Sequence, residues 1–226
     1  MEKPENRPLF AVPIMDEYNA VSKAREAMAK GADLIEFRLD CMQNPPPIED
    51  IVNPEFPAII TNRIIKEGGK IKIDEDKRIK RLQDAIYLGA AYIDIELNSF
   101  HKFDRQNSKT GIIVSYHNLN ETPPIKELHK IYSKAIIQEA DIFKIVTMAK
   151  GWDDCIGIID LVRDANIPTI GINMGKYGAV TRYNKKNYIT FCALNKKECS
   201  APGQFTLDYM INHFKQIEEL HNKNLE

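Results

Sequence analysis

What most constrains this chain is the regular exchange of two hydrophobic periods along it. Short β-branched runs repeat their apolar residues every second position, and segments between them repeat theirs at helical spacing. Eight runs read as strands: Leu9–Ile14, Asp33–Asp40, Pro57–Arg63, Ala91–Leu97, Gly111–His117, Asp141–Met148, Ile167–Asn173 and Tyr188–Ala193. Helical stripes lie between them. Asp16 is the expected N-cap of a helix carrying Ala20, Val21, Ala24, Ala27 and Met28, closed by Gly31; Ile79, Leu82, Ala85 and Ile86 mark a second, stopped at Gly89. Thr122 followed by Pro123 predicts the cap and first residue of a third, with Ile125, Leu128, Ile131 and Tyr132, and Trp152 to Asp164 predicts a fourth. A last helix from about Thr206 carries Leu207, Met210, Ile211, Phe214 and Ile217 before a charged tail expected to fray. Strands that alternate with helices pair in parallel through right-handed crossovers, and eight of them favour a closed (β/α)8 TIM barrel over an open α/β sheet. Residues 1–226 suffice for one such domain, at the short end for that fold.

Composition narrows the class of function. A formal net charge of -1 without a long basic run lacks the footprint of a nucleic-acid binder. No stretch approaches eighteen apolar residues, and the charged start Met1 to Pro8 has no apolar segment behind it, so a membrane or secreted protein is not expected and a cytoplasmic one is. Cys41, Cys155, Cys192 and Cys199 show neither CxxC spacing nor a paired Cys/His pattern, which argues for free thiols and against a zinc site. No GxGxxG follows the first strand and no GxxxxGK[ST] occurs, so nucleotide binding has no support. A small polar ligand is the remaining default.

In the run Asp141–Met148 the period of two places Ile142, Lys144 and Val146 on one face and Phe143 and Ile145 on the other. Lys144 therefore points where apolar side chains should pack. An ammonium so placed is a paired structural group, a strand-end lysine that snorkels to water, or an amine that yields its proton and attacks a carbonyl. In a barrel, reacting groups gather at the C-terminal ends of the strands. Glu36 and Arg38 end the second strand, Arg63 and Glu67 the third, His117 the fifth and Lys144 the sixth, while Arg182 follows the seventh. Any one of these could be a solvated or structural charge; five strands delivering them to one rim points to a site.

These residues resemble the type I 3-dehydroquinate dehydratases. The resemblance rests on Glu36-Phe-Arg38-Leu-Asp40, Thr61-Asn-Arg63 with Glu67-Gly-Gly69, Asp94-Ile-Glu96, Ser115-Tyr-His117, Asp141-Ile-Phe-Lys144-Ile, Met174-Gly175 with Thr181-Arg182, and Ser200-Ala-Pro-Gly-Gln204. It runs in order over nearly the whole chain. It implies that 3-dehydroquinate is dehydrated to 3-dehydroshikimate, with Lys144 as Schiff-base nucleophile, His117 as the proton-transfer residue and Glu67 orienting it. It also implies that Arg182 grips the substrate carboxylate, that Glu36, Arg38, Arg63, Ser200 and Gln204 meet the ring hydroxyls or line the site, and that the protein is a homodimer. Such chemistry calls for no metal and no organic cofactor. The Ser200–Gln204 turn would then be a lid over bound substrate. Thr181 stands where the family has serine, and Thr147 and Ala149 also depart from its pattern.

The three guanidiniums of Arg38, Arg63 and Arg182 are expected to disfavour a protonated Lys144 while attracting an anionic substrate. Two other readings stay open on the residues alone. An aldolase-type lyase would also use a lysine, although such enzymes usually grip phosphate with glycine-rich loops after strands seven and eight. A carboxylate-binding barrel without catalysis would keep Arg182 but have no use for the lysine.

Overall fold

The computed structural model describes residues 2–53, 55–105 and 108–223. Eight parallel strands lie in the order β7-β6-β5-β4-β3-β2-β1-β8. They are β1 (Leu9–Ile14), β2 (Leu34–Arg38), β3 (Ala58–Thr61), β4 (Tyr92–Glu96), β5 (Gly111–Asn118), β6 (Ile142–Met148), β7 (Thr169–Met174) and β8 (Ile189–Phe191). Every expected run holds its strand; most are trimmed at the ends, whereas β5 and β7 each run one residue further, to Asn118 and Met174. The ladder is continuous from β7 round to β8, and the remaining seam is bridged where Tyr188 N donates to Thr169 O at 2.9 Å and Gly171 N donates to Asn187 Oδ1 at 2.8 Å. The wholly buried Asn187 also donates to Thr181 O, so one side chain stitches β7 to the segment that follows it.

The helices are α1 (Ala20–Ala29), α2 (Ile48–Ile51), α3 (Glu75–Tyr87), α4 (Ile125–Ile137), α5 (Trp152–Asp164), α6 (Gly175–Gly178) and α7 (Leu207–Lys223). Among the described residues, the β2–β3 and β7–β8 connections carry only a four-residue helix beside 3-10 turns, and β4–β5 carries the 3-10 turn Phe100–Lys102. That economy is how a short chain closes the barrel. Helix α7 runs through to Lys223, and residues 224–226 of the charged tail lie outside the described residues.

The period of two divides the apolar residues as their spacing predicts. Phe10, Val12, Ile35, Phe37, Ile93, Ile95, Phe143 and Ile145 face outward and pack under the helices against Ala24, Leu82, Leu128, Ile158, Met210 and Phe214. Leu9, Ala11, Leu34, Ile59, Ile113, Ile142, Ile170 and Ile189 form a separate inner cluster. Two expected caps differ. Asp16 accepts from Tyr18 N and Asn19 N, making a turn ahead of α1 without capping it. Thr122 does not cap α4; its hydroxyl lies 2.8 Å from Thr147 Oγ1, donates to Met148 O and accepts from Asn173 Nδ2. The pull of buried β6 and β7 polar groups outweighs a cap that water could replace. Thr147, one of the departures from the family pattern, thus belongs to a hydrogen-bonded cluster outside the barrel.

Candidate active site

On the interior side of the strands stands a band of ions. Lys144, on β6 with its side chain 6% exposed, places Nζ 2.9 Å from Asp94 Oδ2 and 3.8 Å from Glu36 Oε1, and 4.2 Å from the centroid of the Phe191 ring. Asp94 is shared: Arg63 Nη2 lies 2.8 Å from the same oxygen, while Ser115 Oγ donates to Oδ1 at 2.6 Å. Arg63 Nη1 reaches Glu96 Oε1 at 3.0 Å and Ser115 Oγ at 2.6 Å. Glu36 accepts from Thr61 Oγ1 at 2.8 Å, and Arg38 forks onto Asp40 at 2.9 and 2.7 Å.

These pairings correct one expectation. Arg38 and Arg63 are not a bare cationic cluster beside Lys144, because Asp40 in the turn after β2 holds Arg38, Asp94 and Glu96 of β4 hold Arg63, and the lysine itself is paired. Burial makes this necessary, since an isolated ion away from water costs several kcal/mol or more. Asp94 illustrates the balance. Burial would raise its carboxyl, but the Arg63 and Lys144 charges and the Ser115 hydrogen bond outweigh that and hold it well below the usual carboxylate range.

Arg182 is the exception. It sits in the 3-10 turn Ala179–Tyr183 with 2% exposure, and among the described residues no carboxylate lies within ion-pair distance. Its Nη1 makes one long contact, 3.5 Å, to Phe191 O, and its Nε is buried with no partner. Burial drives its proton affinity down, to a pKa of about 10. The turn that carries it is pinned by Thr181, whose hydroxyl donates to Gly178 O at 2.7 Å and accepts from Asn173 N at 2.9 Å. A threonine in the place of serine does this equally well, since only the hydroxyl is used.

His117, at the end of β5, is coupled to Glu67. One carboxylate oxygen, Oε2, lies 3.0 Å from both the backbone N and the ring Nδ1 of His117. Burial, with the Arg63 and Lys144 charges, holds the imidazole well below its ordinary value, so it is neutral. Burial also pushes Glu67 up to about 7, aided by the Glu96 and Asp94 charges and resisted by Arg63 and the His117 amide. Glu67 is placed by the turn behind it, where Gly68 has φ +95° and Gly69 lies so close to the Arg63 carbonyl that a Cβ would overlap it.

Above the ions opens a cavity of about 300 Å³, lined by Glu36, Arg38, Arg63, Glu67, His117, Lys144, Arg182, Ser200 and Gln204. Every sequence-predicted site residue therefore meets at one cavity. Ser200 and Gln204 first meet each other: Ser200 N and Oγ donate to Gln204 Oε1 at 2.6 and 3.1 Å, leaving the amide Nε2 buried without a partner. Gly203, at φ +79°, lays this turn on the backbone of Gly175. Three ions were not singled out from the sequence as site residues: Asp94, Glu96 and Arg78. For the first two the signal existed, since the period of two in Ala91–Leu97 puts Tyr92, Asp94 and Glu96 on one face.

Comparison with known proteins agrees with this geometry. The chain matches the type I 3-dehydroquinase family over residues 10–221. It is 36% identical over 211 residues to a 3-dehydroquinate dehydratase of Methanobrevibacter smithii, covering 89% of this chain and 92% of that one. It is 33% identical to the bifunctional 3-dehydroquinate dehydratase/shikimate dehydrogenase of Arabidopsis thaliana chloroplasts, where 94% of this chain spans 38% of the relative's length. The crystal structure of 3-dehydroquinate dehydratase from Geobacillus kaustophilus superposes with a TM-score of 0.84 at 25% identity, over 94% of this chain and 92% of the other. The chain belongs to the type I 3-dehydroquinase family.

Proposed function

We propose that this type I 3-dehydroquinase, a hydro-lyase, converts 3-dehydroquinate to 3-dehydroshikimate and water through an imine formed on Lys144. The observation that carries the reading is that Lys144 and a neutral histidine line one cavity whose one guanidinium without a carboxylate, among the described residues, is Arg182. A monoanionic substrate supplies what Arg182 lacks. Its carboxylate would accept from Nε and Nη, so the cost of burying that guanidinium is relieved only when substrate is bound.

With the carboxylate so fixed, the ketone carbon lies toward Lys144. The amine, having given up its proton, adds to the carbonyl, and loss of water leaves an iminium. The iminium withdraws electrons from the neighbouring carbon, from which neutral His117 takes a proton through Nε2. Glu67 supports this by accepting the Nδ1 hydrogen, which keeps the lone pair on the nitrogen that faces the cavity. The enamine expels the β-hydroxyl, His117 returns the proton to it as water departs, and hydrolysis of the conjugated iminium frees Lys144. Glu36, Arg38, Arg63, Ser200 and the unpartnered Gln204 Nε2 would hold ring hydroxyls, with the Ser200–Gln204 turn keeping bulk water out. The shikimate pathway is the setting, and a cytoplasmic homodimer the form, that we propose; no helix among the described residues is long and apolar enough to cross a membrane.

The test is spectroscopic. Addition of 3-dehydroquinate to purified protein should produce the absorbance of a conjugated enone in proportion to enzyme. An aldolase-type lyase would give carbon-chain fragments, and a binding barrel would leave the spectrum unchanged; either result contradicts the assignment.

A further inference from the structure

Arg78, Glu96 and Glu75 take no part in the chemistry above, yet they continue an unbroken line of ions that begins at Lys144. Lys144 Nζ is 2.9 Å from Asp94 Oδ2, and Arg63 Nη2 is 2.8 Å from that same oxygen. Arg63 Nη1 is 3.0 Å from Glu96 Oε1, Glu96 Oε2 is 2.7 Å from Arg78 Nη1, and Arg78 Nε is 2.8 Å from Glu75 Oε2. The sign of the charge alternates at every step. From Lys144 to Arg78 no side chain is more than 6% exposed, and only Glu75, at 30%, reaches water. Screening that would erase such coupling at a surface is weak here.

Arg78 comes from the first turn of α3, outside the barrel. It passes inward between the ends of β3 and β4, where Nη1 also donates to Asn62 O at 2.8 Å. We infer that Arg78 is a positioning residue which, through Glu96 and Arg63, sets how tightly Asp94 holds the Lys144 ammonium. Arg63 divides between Asp94 and Glu96, and Glu96 divides between Arg63 and Arg78. Without the Arg78 charge, Glu96 keeps the Ile64 amide at 3.1 Å but, among the described residues, has Arg63 as its one cationic partner and draws it away from Asp94, which then bears on the lysine. Loss of a nearby positive charge acts in the same direction. Loss of the Glu75 charge does the reverse, because Arg78 turns more fully to Glu96 and releases Arg63 toward Asp94. The other charged and titratable groups at the cavity are unchanged in either case: Glu36 and Arg38 from β2, neutral His117 from β5 with its partner Glu67, and Arg182.

This inference rests on the proposed role of Lys144, but its test does not depend on turnover. The whole enzyme is treated briefly with methyl acetimidate across a range of pH, and amidination of the Lys144 peptide is read by mass. The midpoint pH of that reaction reports how firmly the ammonium is held. Arg78→Gln should raise the midpoint by about half a pH unit, a fraction of the shift a direct ion pair causes. Glu75→Gln should lower it, and Arg78→Lys should restore it. Midpoints that stay at the wild-type value, or that move the same way in Arg78→Gln and Glu75→Gln, overturn the inference, even if Arg78→Gln is less stable. Should Arg78→Gln fail to fold, Glu75→Gln decides alone, since its side chain lies at the solvent end and an unmoved midpoint there is equally fatal. If borohydride with substrate leaves no adduct on wild-type Lys144, the mechanism itself falls; if the adduct forms and the midpoints do not move, only the role of Arg78 falls.

Discussion

Replacing Arg182 by methionine should make the free protein more stable and the enzyme much worse. The guanidinium is 2% exposed, has no carboxylate partner among the described residues and keeps one 3.5 Å contact to a carbonyl. Burial lowers its pKa from the ordinary 12.5 to about 10. At about 1.4 kcal/mol for each tenfold change in proton affinity, the folded state bears a cost of about 3 kcal/mol. The sign follows from both values lying above neutrality. At pH 7 the group is protonated folded and unfolded, so the whole cost is present, and it is relieved only as the pH rises through about 10. Methionine keeps the apolar stem and discards the charge. Lost packing and the lost Phe191 contact offset part of the gain, leaving a net stabilisation of about 1–2 kcal/mol. In a chain of this size that is about 2–4 °C in Tm per kcal/mol. Substrate binding should suffer in the opposite sense, with kcat/KM falling at least about 30-fold, or about 2 kcal/mol, as the carboxylate loses its charged partner. Denaturant unfolding at pH 7 and steady-state kinetics on the same preparation read both effects. A variant that is less stable, or one that keeps full activity, would refute the view that Arg182 is held charged and unpaired for the substrate.

Three other substitutions probe the ions around it. Asp94→Asn removes a carboxylate held well below its ordinary value, whose contribution is fully present above about pH 4 and is lost as the pH falls; the variant should lose about 3–5 kcal/mol at pH 7 and show a shallower decline in acid, as measured by unfolding from pH 7 to pH 2. Glu67 titrates at about 7 in the fold, and below that its carboxyl loses the negative charge that steadies the His117 Nδ1 hydrogen and the imidazolium formed in turnover; kcat/KM should therefore rise through about pH 7, and this limb should be missing in Glu67→Gln. Gly69→Ala drives a Cβ into the Arg63 carbonyl and should lower kcat more than tenfold by moving Glu67, with crystallography of the variant expected to show the 64–69 turn displaced.

The period of two was enough to place Lys144 inside and Phe143 and Ile145 outside, because a strand's faces are a local property. It put Glu36, His117 and Lys144 on the inner face as well, but Lys144 does not end its strand as expected: it is third in Ile142–Met148, level with Ser115 and below His117, because the sheet hydrogen bonding continues to Met148. What the period could not supply was partners. Asp94 and Lys144 are 50 residues apart and lie on strands separated by β5, so their contact depends on the registers of two ladders, Asp94↔Ile113 and Ile113↔Ile142. Nothing local to Arg63 distinguishes a guanidinium locked between two carboxylates from one awaiting a ligand, and Arg182 becomes distinctive only when the absence of neighbours is visible. Thr122 shows the same limit from the other side. Its sequence context is that of a helix cap, yet its hydroxyl is claimed by Met148, Thr147 and Asn173, which only the fold brings near.

The claim on which the account turns is that Lys144 becomes covalently bound to the substrate. Borohydride added during turnover with 3-dehydroquinate should reduce the imine, abolish activity, and leave one stable adduct of ligand mass per chain on the peptide containing Lys144. Lys144→Ala should form no adduct and lose nearly all activity, whereas His117→Ala should still be trapped, because the imine forms without abstraction of the neighbouring proton. An adduct on another lysine, no adduct in an active enzyme, or full activity in Lys144→Ala would contradict it.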